Sequence, residues 1–201
     1  MAKLYFRYGS MNSGKSTLLL QVAHNYNEKG MQVLIMKPVI DSKGNDMVVS
    51  RLGIQEQADN LIKHDDDIYN CILETQSELK GDEEIACILI DESQFLSKKQ
   101  VEQLLKITIV FDIPVICYGL RTDFLGQGFE GSTRLLELAH SLEEIKTICS
   151  CGKKATMNLR YVNGKVARKG EQVGIDNQDS IQYKAVCPSC WFKEFSENEN
   201  E

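Results

Sequence analysis

The sequence predicts an α/β protein in which a parallel sheet carries helices on both faces and a small domain follows at the C-terminal end. Three features lead to this prediction. A glycine-rich motif stands between an apolar stretch and a helical pattern near the start, apolar runs alternate with helical patterns up to about residue 145, and four cysteines form two close pairs after residue 146. Alternating strands and helices are typical of a parallel sheet, because each crossover helix packs back onto the sheet.

The motif reads Gly-Ser-Met-Asn-Ser-Gly-Lys-Ser and fits the pattern G-x-x-x-x-G-K-[ST] of phosphate-binding loops. Residues 4–6 before it predict a buried strand, and residues 16–29 after it predict a helix that Gly30 ends. In such a loop, backbone N–H groups point at phosphate oxygens, Lys15 reaches the β and γ phosphates, and the Ser16 hydroxyl binds Mg²⁺. The predicted ATP-binding loop consists of Gly9, Ser10, Met11, Asn12, Ser13, Gly14, Lys15 and Ser16.

The chain between the first helix and the next strongly apolar run is mixed in character. Residues 32–37 are apolar and predict a second strand. Residues 39–60 are polar and irregular, which predicts a mobile loop. The three aspartates at residues 65–67 then either place negative charge at the start of a helix through Ile68 and Ile72 or form a solvated turn. The residues alone leave both interpretations open.

Two further apolar runs complete the predicted sheet. Ile85–Ile90 is continuously apolar, as expected for a central strand that is covered on both faces. Residues 114–120 predict another buried strand. Between them, Ser97 is a predicted helix N-cap, and Val101 and Leu104 continue the helix as an apolar stripe.

Asp91 and Glu92 directly follow one of these strands, so they are expected at the carboxyl edge of the sheet, beside the phosphate loop. Asp91 could hold Mg²⁺ directly or through water. Glu92 lies one residue on and points elsewhere, where it could take a proton from an attacking hydroxyl. If water attacks, the protein is an ATPase, and if a substrate alcohol attacks, it is a kinase. These two residues leave both reactions open.

The seven cysteines sort by their positions. Cys71, Cys87 and Cys117 stand singly in apolar stretches, and we expect them to be buried packing residues. The other four form two close pairs that are separated by 35 residues, which is typical of a structural tetrahedral zinc site. A closed four-sulfur site leaves no open position for catalysis, so the zinc would fasten the base of the polar segment between the pairs. The predicted ligands are Cys149, Cys151, Cys187 and Cys190.

The net charge of −6 is unevenly distributed. Residues 1–145 carry 14 basic and 22 acidic side chains, whereas residues 146–193 carry 9 basic and 3 acidic ones. The acidic body argues against a nucleic-acid partner, and no apolar run approaches the length of a membrane span, so we expect neither nucleic acid nor membrane as a partner. The start of the chain lacks a secretory apolar region, which predicts a cytoplasmic protein.

Five stretches together resemble the thymidine kinase family that combines a phosphate loop with a zinc domain, in its bacterial form. They are GSMNSGKS (9–16), LIDESQF (89–95), YGLRTDFLGQGFEGS (118–132), TICSCGKKATMNLR (147–160) and YKAVCPSC (183–190). The resemblance runs over nearly the whole chain. It implies a RecA-like P-loop sheet and a zinc-binding lasso, where lasso denotes residues 152–186 between the cysteine pairs.

The resemblance implies transfer of the γ-phosphoryl group of ATP to the 5′-hydroxyl of thymidine, with Glu92 as the catalytic base and Asp91 helping to hold Mg²⁺. Further implied ATP contacts are Asp91, Glu92, Ser93 and Gln94. The implied thymidine-binding residues are Phe95, Leu120, Phe124, Phe129, Gly174, Ile175 and Tyr183. The family is similar in being cytosolic, commonly tetrameric and inhibited by thymidine triphosphate.

One further candidate for a nucleoside contact lies in the lasso. Met157 is placed where a soft side chain could meet the thymine 5-methyl group or pack against the core, and both readings stay open. The chain also departs from the family pattern twice. Lys43 stands where the family commonly has an arginine, and it can neutralise a phosphate without gripping it bidentately. The lasso carries only Gly174 where the family usually has a glycine pair.

The resemblance divides the chain into a P-loop nucleotide-binding domain at residues 1–146, a zinc-binding lasso domain at residues 147–193 and an acidic, disordered tail at residues 194–201. Two other functions fit parts of the sequence. Some nucleoside monophosphate kinases carry a four-cysteine zinc lid, but that lid usually interrupts the middle of the chain. A nucleic-acid-dependent ATPase or binding module is favoured by the basic segment and opposed by the acidic body.

Overall fold

The computed structural model of the protein describes residues 1–39, 46–79, 84–172 and 181–196. Its strands are β1 (Leu4–Gly9), β2 (Gln32–Pro38), β3 (Met47–Val49), β4 (Gln55–Gln57), β5 (Asn60–Ile62), β6 (Ile85–Ile90), β7 (Val115–Leu120), β8 (Ser141–Glu144), β9 (Thr147–Ile148), β10 (Lys154–Ala155), β11 (Met157–Val162), β12 (Lys165–Val166) and β13 (Ile181–Val186). Its helices are α1 (Lys15–Asn27), α2 (Ile68–Glu78), α3 (Lys98–Val110), α4 (Glu130–Leu138) and α5 (Pro188–Ser196), with a 3₁₀ turn at Ser93–Phe95. The predictions that concern Lys43, Gly174, Ile175 and residues 197–201 lie outside the described residues.

Six strands form one parallel sheet in the order β5-β2-β6-β7-β1-β8. Helices cover both faces, as the sequence predicts. Ile72, Leu104 and Leu135 of α2, α3 and α4 belong to the apolar cluster on one face. Leu19 of α1 and Val48 of β3 belong to the cluster on the other. The predicted RecA-like P-loop sheet is therefore confirmed.

The helix ends follow the predicted local signals. At the end of α1, the N–H of Gly30 donates to the Asn27 carbonyl and the N–H of Met31 to the Tyr26 carbonyl, which is a Schellman arrangement. Ser97 caps α3 in a capping box with Gln100.

The helix interpretation of the three aspartates is the correct one. Asp67 is the N-cap of α2, and its side chain accepts a hydrogen bond from the N–H of Asn70 at 3.1 Å. The burial expected of the single cysteines is found for Cys87 and Cys117 and only in part for Cys71. Cys87 and Cys117 are fully buried, one in the apolar cluster on each face of the sheet, and Cys71 is half-buried.

The prediction of a mobile loop over residues 39–60 is wrong for its second half. Strands β3 and β4 pair as an antiparallel hairpin there, and β5 begins at Asn60. The hairpin is ordered by packing, because Val48 is fully buried against α1. Three-residue strands leave too little periodicity in a sequence to be recognised.

The C-terminal part has its own small sheets and core. A three-stranded antiparallel sheet has the order β12-β11-β13, and β9 pairs with β10 beside it. Helix α5 continues to Ser196, so residues 194–196, which the sequence assigns to the tail, are helical. Across the described residues, none of the helices is both long and apolar enough to cross a membrane.

We predict that Gly131→Ala lowers stability by about 1–3 kcal/mol, because a Cβ there would lie 2.5 Å from the Ser93 carbonyl oxygen and 2.7 Å from that of Leu96. Thermal unfolding should show a Tm that is lower by roughly 3–10 °C. Thr133→Ala, on the exposed side of the same helix, is the control and should change the Tm little. An unchanged Tm for Gly131→Ala would contradict the close packing of α4 on the 3₁₀ turn.

Candidate nucleotide-binding site

The phosphate-loop sequence folds as a loop between β1, which ends at Gly9, and α1, which begins at Lys15. Gly14 adopts a positive φ of 86°, which lets the chain turn directly into the helix. The ammonium of Lys15 is buried and donates to the Ser10 carbonyl at 3.0 Å. Burial lowers the pKa of Lys15, while the charges of Glu92 and Asp91 oppose that shift. The lysine is therefore directed into the loop with acidic groups close by.

The two predicted magnesium ligands lie together. The Ser16 hydroxyl donates to a carboxylate oxygen of Asp91 at 3.3 Å. Burial of the Asp91 carboxyl and the nearby negative charge of Glu92 raise its pKa to about 7. A buried carboxylate of this kind favours a cation beside it, and hydroxyl and carboxylate oxygens are the ligands that Mg²⁺ prefers.

Glu92 is held in an uncommon backbone conformation, with φ 49° and ψ 37°. A non-glycine residue in the left-handed region costs free energy, and such residues cluster at functional sites. The Glu92 carboxylate accepts a hydrogen bond at 2.6 Å from the amide of Gln94, whose oxygen accepts the N–H of Leu120 at 3.0 Å. Gln94, a predicted ATP contact, is buried, and these two hydrogen bonds link Glu92 to the end of β7.

A cleft of about 600 Å³ opens over the phosphate loop. Glu92 and Leu120 line one part of it, and residues 49–52, from the β3–β4 hairpin, line another. The sequence analysis missed this hairpin segment, since it treated the region as a loop. The exposed Arg51 at its turn brings a positive charge to the cleft.

The residues predicted to wall the nucleoside pocket lie in the 3₁₀ turn after Glu92 and between the end of β7 and the start of α4. Phe124 and Phe129 are buried, Leu120 is half-buried, and the rings of Phe95 and Phe129 meet edge to face with centroids 5.6 Å apart. Concave sites for small ligands are typically lined by such apolar and aromatic groups. Of these predicted wall residues, Leu120 lines the cleft over the phosphate loop.

Asn158 of β11 links the phosphate loop to the loop after β7, although the sequence analysis did not single it out. Its side-chain oxygen accepts the N–H of Met11 at 2.8 Å, and its amide donates to the Thr122 carbonyl at 3.2 Å. The signal was available, because polar Asn158 and Arg160 alternate with apolar residues along β11. The Met11 amide of the predicted ATP loop is therefore engaged by the protein.

The two predicted lasso contacts that the structure describes, Tyr183 and Met157, lie on opposite faces of the small sheet. Tyr183 pairs across β11 and β13 with Arg160 and is half-buried. Met157 lies an odd number of positions from Arg160, so it points to the opposite face of β11, where it packs on the cluster around the cysteines. This placement favours the packing interpretation of Met157.

The four predicted metal ligands converge. The sulfur atoms of Cys149, Cys151, Cys187 and Cys190 all lie within 4.8 Å of one another. The Cys190 N–H lies 3.5 Å from the Cys187 sulfur, and the N–H of Gly152 donates to the Cys149 carbonyl in a tight turn. The cluster could therefore hold a metal such as zinc.

Hydrogen bonds within the cluster shift the pKa values of its thiols in both directions. The N–H of Cys151 lowers the pKa of Cys149 to about 6, and the N–H of Cys190 lowers that of Cys187. The thiol of Cys190 instead donates to Cys151, which raises its pKa to about 12. Two sulfurs thus favour the thiolate form, and the thiolate is the metal-binding form of cysteine.

This arrangement defines a P-loop nucleotide-binding protein: the loop follows a parallel strand, begins a helix, and faces a carboxylate at the end of another strand of the same sheet. A family model described as "Thymidine kinase" matches residues 2–191. The chain belongs to the thymidine kinase family.

Curated relatives in bacteria agree with this assignment. A protein named thymidine kinase in Shewanella oneidensis is 48% identical over 97% of this chain and 98% of its own length. Others with that name in Coxiella burnetii and Legionella pneumophila (strain Lens) are 47% and 49% identical, each over 93% of this chain, and over 93% and 88% of their own lengths. A solved DNA replication initiation factor matches 72% of this chain and 40% of its own chain at 18% identity, with a TM-score of 0.38.

We predict that the purified protein holds one tightly bound metal ion per chain, because four thiols converge on one point. Elemental analysis should find about one zinc in the wild type and little in Cys187→Ser. Cys71→Ser, which changes a cysteine outside the cluster, is the control and should keep the metal. Wild-type protein that is active and essentially metal-free would refute the site.

Proposed function

We propose that this protein is a thymidine kinase that transfers the γ-phosphoryl group of ATP to the 5′-hydroxyl of thymidine and releases ADP and thymidine monophosphate. The observation that carries this proposal is the position of Glu92, which lines the cleft over the phosphate loop together with Leu120. A carboxylate in such a cleft, next to a residue that the family resemblance assigns to the nucleoside, suits a reaction between a nucleotide and an alcohol-bearing nucleoside.

In this mechanism the phosphate loop holds the triphosphate of ATP through backbone N–H groups, and Lys15 turns from the Ser10 carbonyl to the phosphate oxygens. Ser16 and Asp91 would hold Mg²⁺, which neutralises charge on the phosphate oxygens. Ser93 and Gln94 belong to the same site, with Gln94 acting through Glu92.

Glu92 accepts the proton of the thymidine 5′-hydroxyl as the oxygen forms its bond to the γ-phosphorus. The bond from the γ-phosphorus to the β–γ bridging oxygen breaks, and ADP leaves with that electron pair. The Gln94 amide fixes the orientation of the carboxylate, so that the base is in place before the substrate binds.

The thymidine pocket would be formed by Phe95, Leu120, Phe124, Phe129 and Tyr183. Gly174 and Ile175 are proposed to meet the base through their main chain on the strength of the family resemblance, and Lys43 is proposed to neutralise phosphate. A purine would be too large for a pocket that is closed in this way.

Zinc held by the four cysteines is proposed to be structural, as a crosslink that fixes the base of the lasso. We propose the domain boundaries given by the sequence, with a P-loop domain over residues 1–146 and a lasso domain over residues 147–193. Family resemblance further supports a cytoplasmic homotetramer that thymidine triphosphate inhibits. Sedimentation analysis and inhibition assays test these last two proposals, and a monomer insensitive to the triphosphate would refute them.

The direct test of the function compares ATP turnover with thymidine, thymidine monophosphate and single-stranded DNA. Thymidine should stimulate ADP formation strongly and the other two little. Stimulation by thymidine monophosphate alone would indicate a nucleoside monophosphate kinase, and stimulation by DNA alone would indicate a nucleic-acid-dependent ATPase.

We predict that Glu92→Gln keeps ATP binding but lowers kcat by about 10²–10⁴-fold, because it retains the shape and loses the proton acceptor. Lys15→Ala is the contrasting variant. It should also weaken ATP binding, since its charge acts in the ground state as well as in the transition state. Near wild-type turnover of Glu92→Gln would exclude Glu92 as the base.

We predict that Tyr183→Ala raises the KM for thymidine and leaves the KM for ATP nearly unchanged. Loss of a base–aromatic stack costs about 1–3 kcal/mol, which corresponds to roughly 5- to 150-fold. Tyr161→Ala is the matched control, because Tyr161 packs on the cysteine side of the same small sheet. Equal changes in both KM values would show that Tyr183 is only structural.

A further inference from the structure

We propose that Arg160 is a positioning residue that fastens the lasso stem, residues 169–172, over Phe124 and thereby sets the affinity for thymidine. This inference rests on the proposed function. Arg160 belongs neither to the phosphate loop nor to the cysteine cluster, and it is distinct from the proposed catalytic base Glu92.

The contacts of Arg160 join three separate segments. It belongs to β11, its guanidinium carbon lies 3.7 Å from the centroid of the Phe124 ring, and one terminal nitrogen donates to the Glu171 carbonyl at 2.9 Å. The other terminal nitrogen lies 3.5 Å from the Lys169 carbonyl oxygen. The planar guanidinium suits this geometry, because its face can stack on a ring while its edge donates to carbonyls.

The stem is shaped to receive the arginine. A Cβ at Gly170 would lie 2.4 Å from a terminal nitrogen of Arg160, and Gly170 has a φ of 130°. On its other side the stem is tied to the loop that carries Phe124, since the Gln172 amide donates to a carboxylate oxygen of Asp123 at 3.2 Å and to the Gly128 carbonyl at 3.3 Å. The stem is therefore clamped between Arg160 and the Phe124 loop.

Stability alone does not account for a cation at this position. The Arg160 side chain is almost fully buried, and within the described residues it has no carboxylate in an ion pair. Its Nε is buried and has no hydrogen-bond partner there. A buried, incompletely paired charge costs free energy, which points to a role in holding the segments in one arrangement.

The arrangement of these segments affects the proposed thymidine pocket. Phe124 is a predicted wall of the thymidine pocket, and Tyr183 stands directly across the sheet from Arg160. Loosening the stem should therefore weaken thymidine binding.

The chain contains one tryptophan, which gives a direct readout. The Trp191 indole N–H donates to the Phe124 carbonyl at 3.0 Å. Titration of Trp191 fluorescence with thymidine, without ATP, therefore reports binding beside the residue that Arg160 covers.

The test variant is Arg160→Met, which keeps a long apolar side chain and removes the N–H donors of the guanidinium. We expect its Kd and KM for thymidine to rise about 10- to 100-fold, since charge-assisted hydrogen bonds are lost. The KM for ATP should stay within about twofold, and the zinc content should be unchanged. Arg160→Lys should recover part of the affinity, because the charge returns without the planar fork.

The matched control is Arg168→Met. Arg168 directly precedes the stem in the chain, but its guanidinium donates to a different backbone carbonyl, that of Glu194, and lies over a different ring, that of Phe195. Its thymidine Kd should stay near that of the wild type. Gly170→Ala perturbs the same contact from the other side and should raise the thymidine Kd as Arg160→Met does.

Two results would overturn the inference: an unchanged thymidine Kd in Arg160→Met, or equal changes in Arg160→Met and Arg168→Met. If Arg160→Met does not fold, Arg160→Lys and Gly170→Ala decide by the same readouts, and wild-type affinity in both would overturn it. Failure of the proposed function is a separate outcome, because wild-type protein would then neither bind nor phosphorylate thymidine.

Discussion

The carboxyl edge of the parallel sheet is the constraint on which the site depends. Strands β6, β7 and β1 are neighbours in that order and run in the same direction, so the segments that follow them emerge at one edge. The phosphate loop follows β1, Asp91 and Glu92 follow β6, and the loop that carries Phe124 (residues 121–129, the aromatic loop) follows β7. Groups that are more than a hundred residues apart thus meet in one cleft. Gln94 then bridges Glu92 to the end of β7, so the base is fixed to the sheet by a second contact.

The C-terminal part of the chain contacts the loops that emerge at this edge. Asn158 contacts both the phosphate loop and the aromatic loop, and Arg160 contacts the aromatic loop and the lasso stem. Both side chains project from one face of β11, while the other face packs on the cysteine cluster. A metal in that cluster would hold the strand that carries them. A metal there would in this way act on the proposed nucleoside pocket through β11.

The features that the sequence predicts correctly are those with local signals. The phosphate loop, the apolar strands and the Ser97 cap depend on neighbouring residues, and the cysteine cluster depends on ligand spacing. The strand order, the β3–β4 hairpin and the edge strand β8 depend on contacts between distant segments, which no short pattern contains. The left-handed conformation of Glu92 has the same origin, because glutamate has no local preference for it. Asn158 and Arg160 lie between these cases, since their alternation is visible in the sequence but their partners are not.

The central reaction is transfer of the γ-phosphate of ATP to the 5′-hydroxyl of a nucleoside. Isotopic labelling of the γ-phosphate tests it most directly, with thymidine and 5′-deoxythymidine as alternative acceptors. Both present the same base to the pocket, and only thymidine carries the reacting hydroxyl. The account predicts that the label moves to thymidine and not to 5′-deoxythymidine. Labelled nucleotide formed from 5′-deoxythymidine, or labelled phosphate released to water at the same rate with either acceptor, would contradict it.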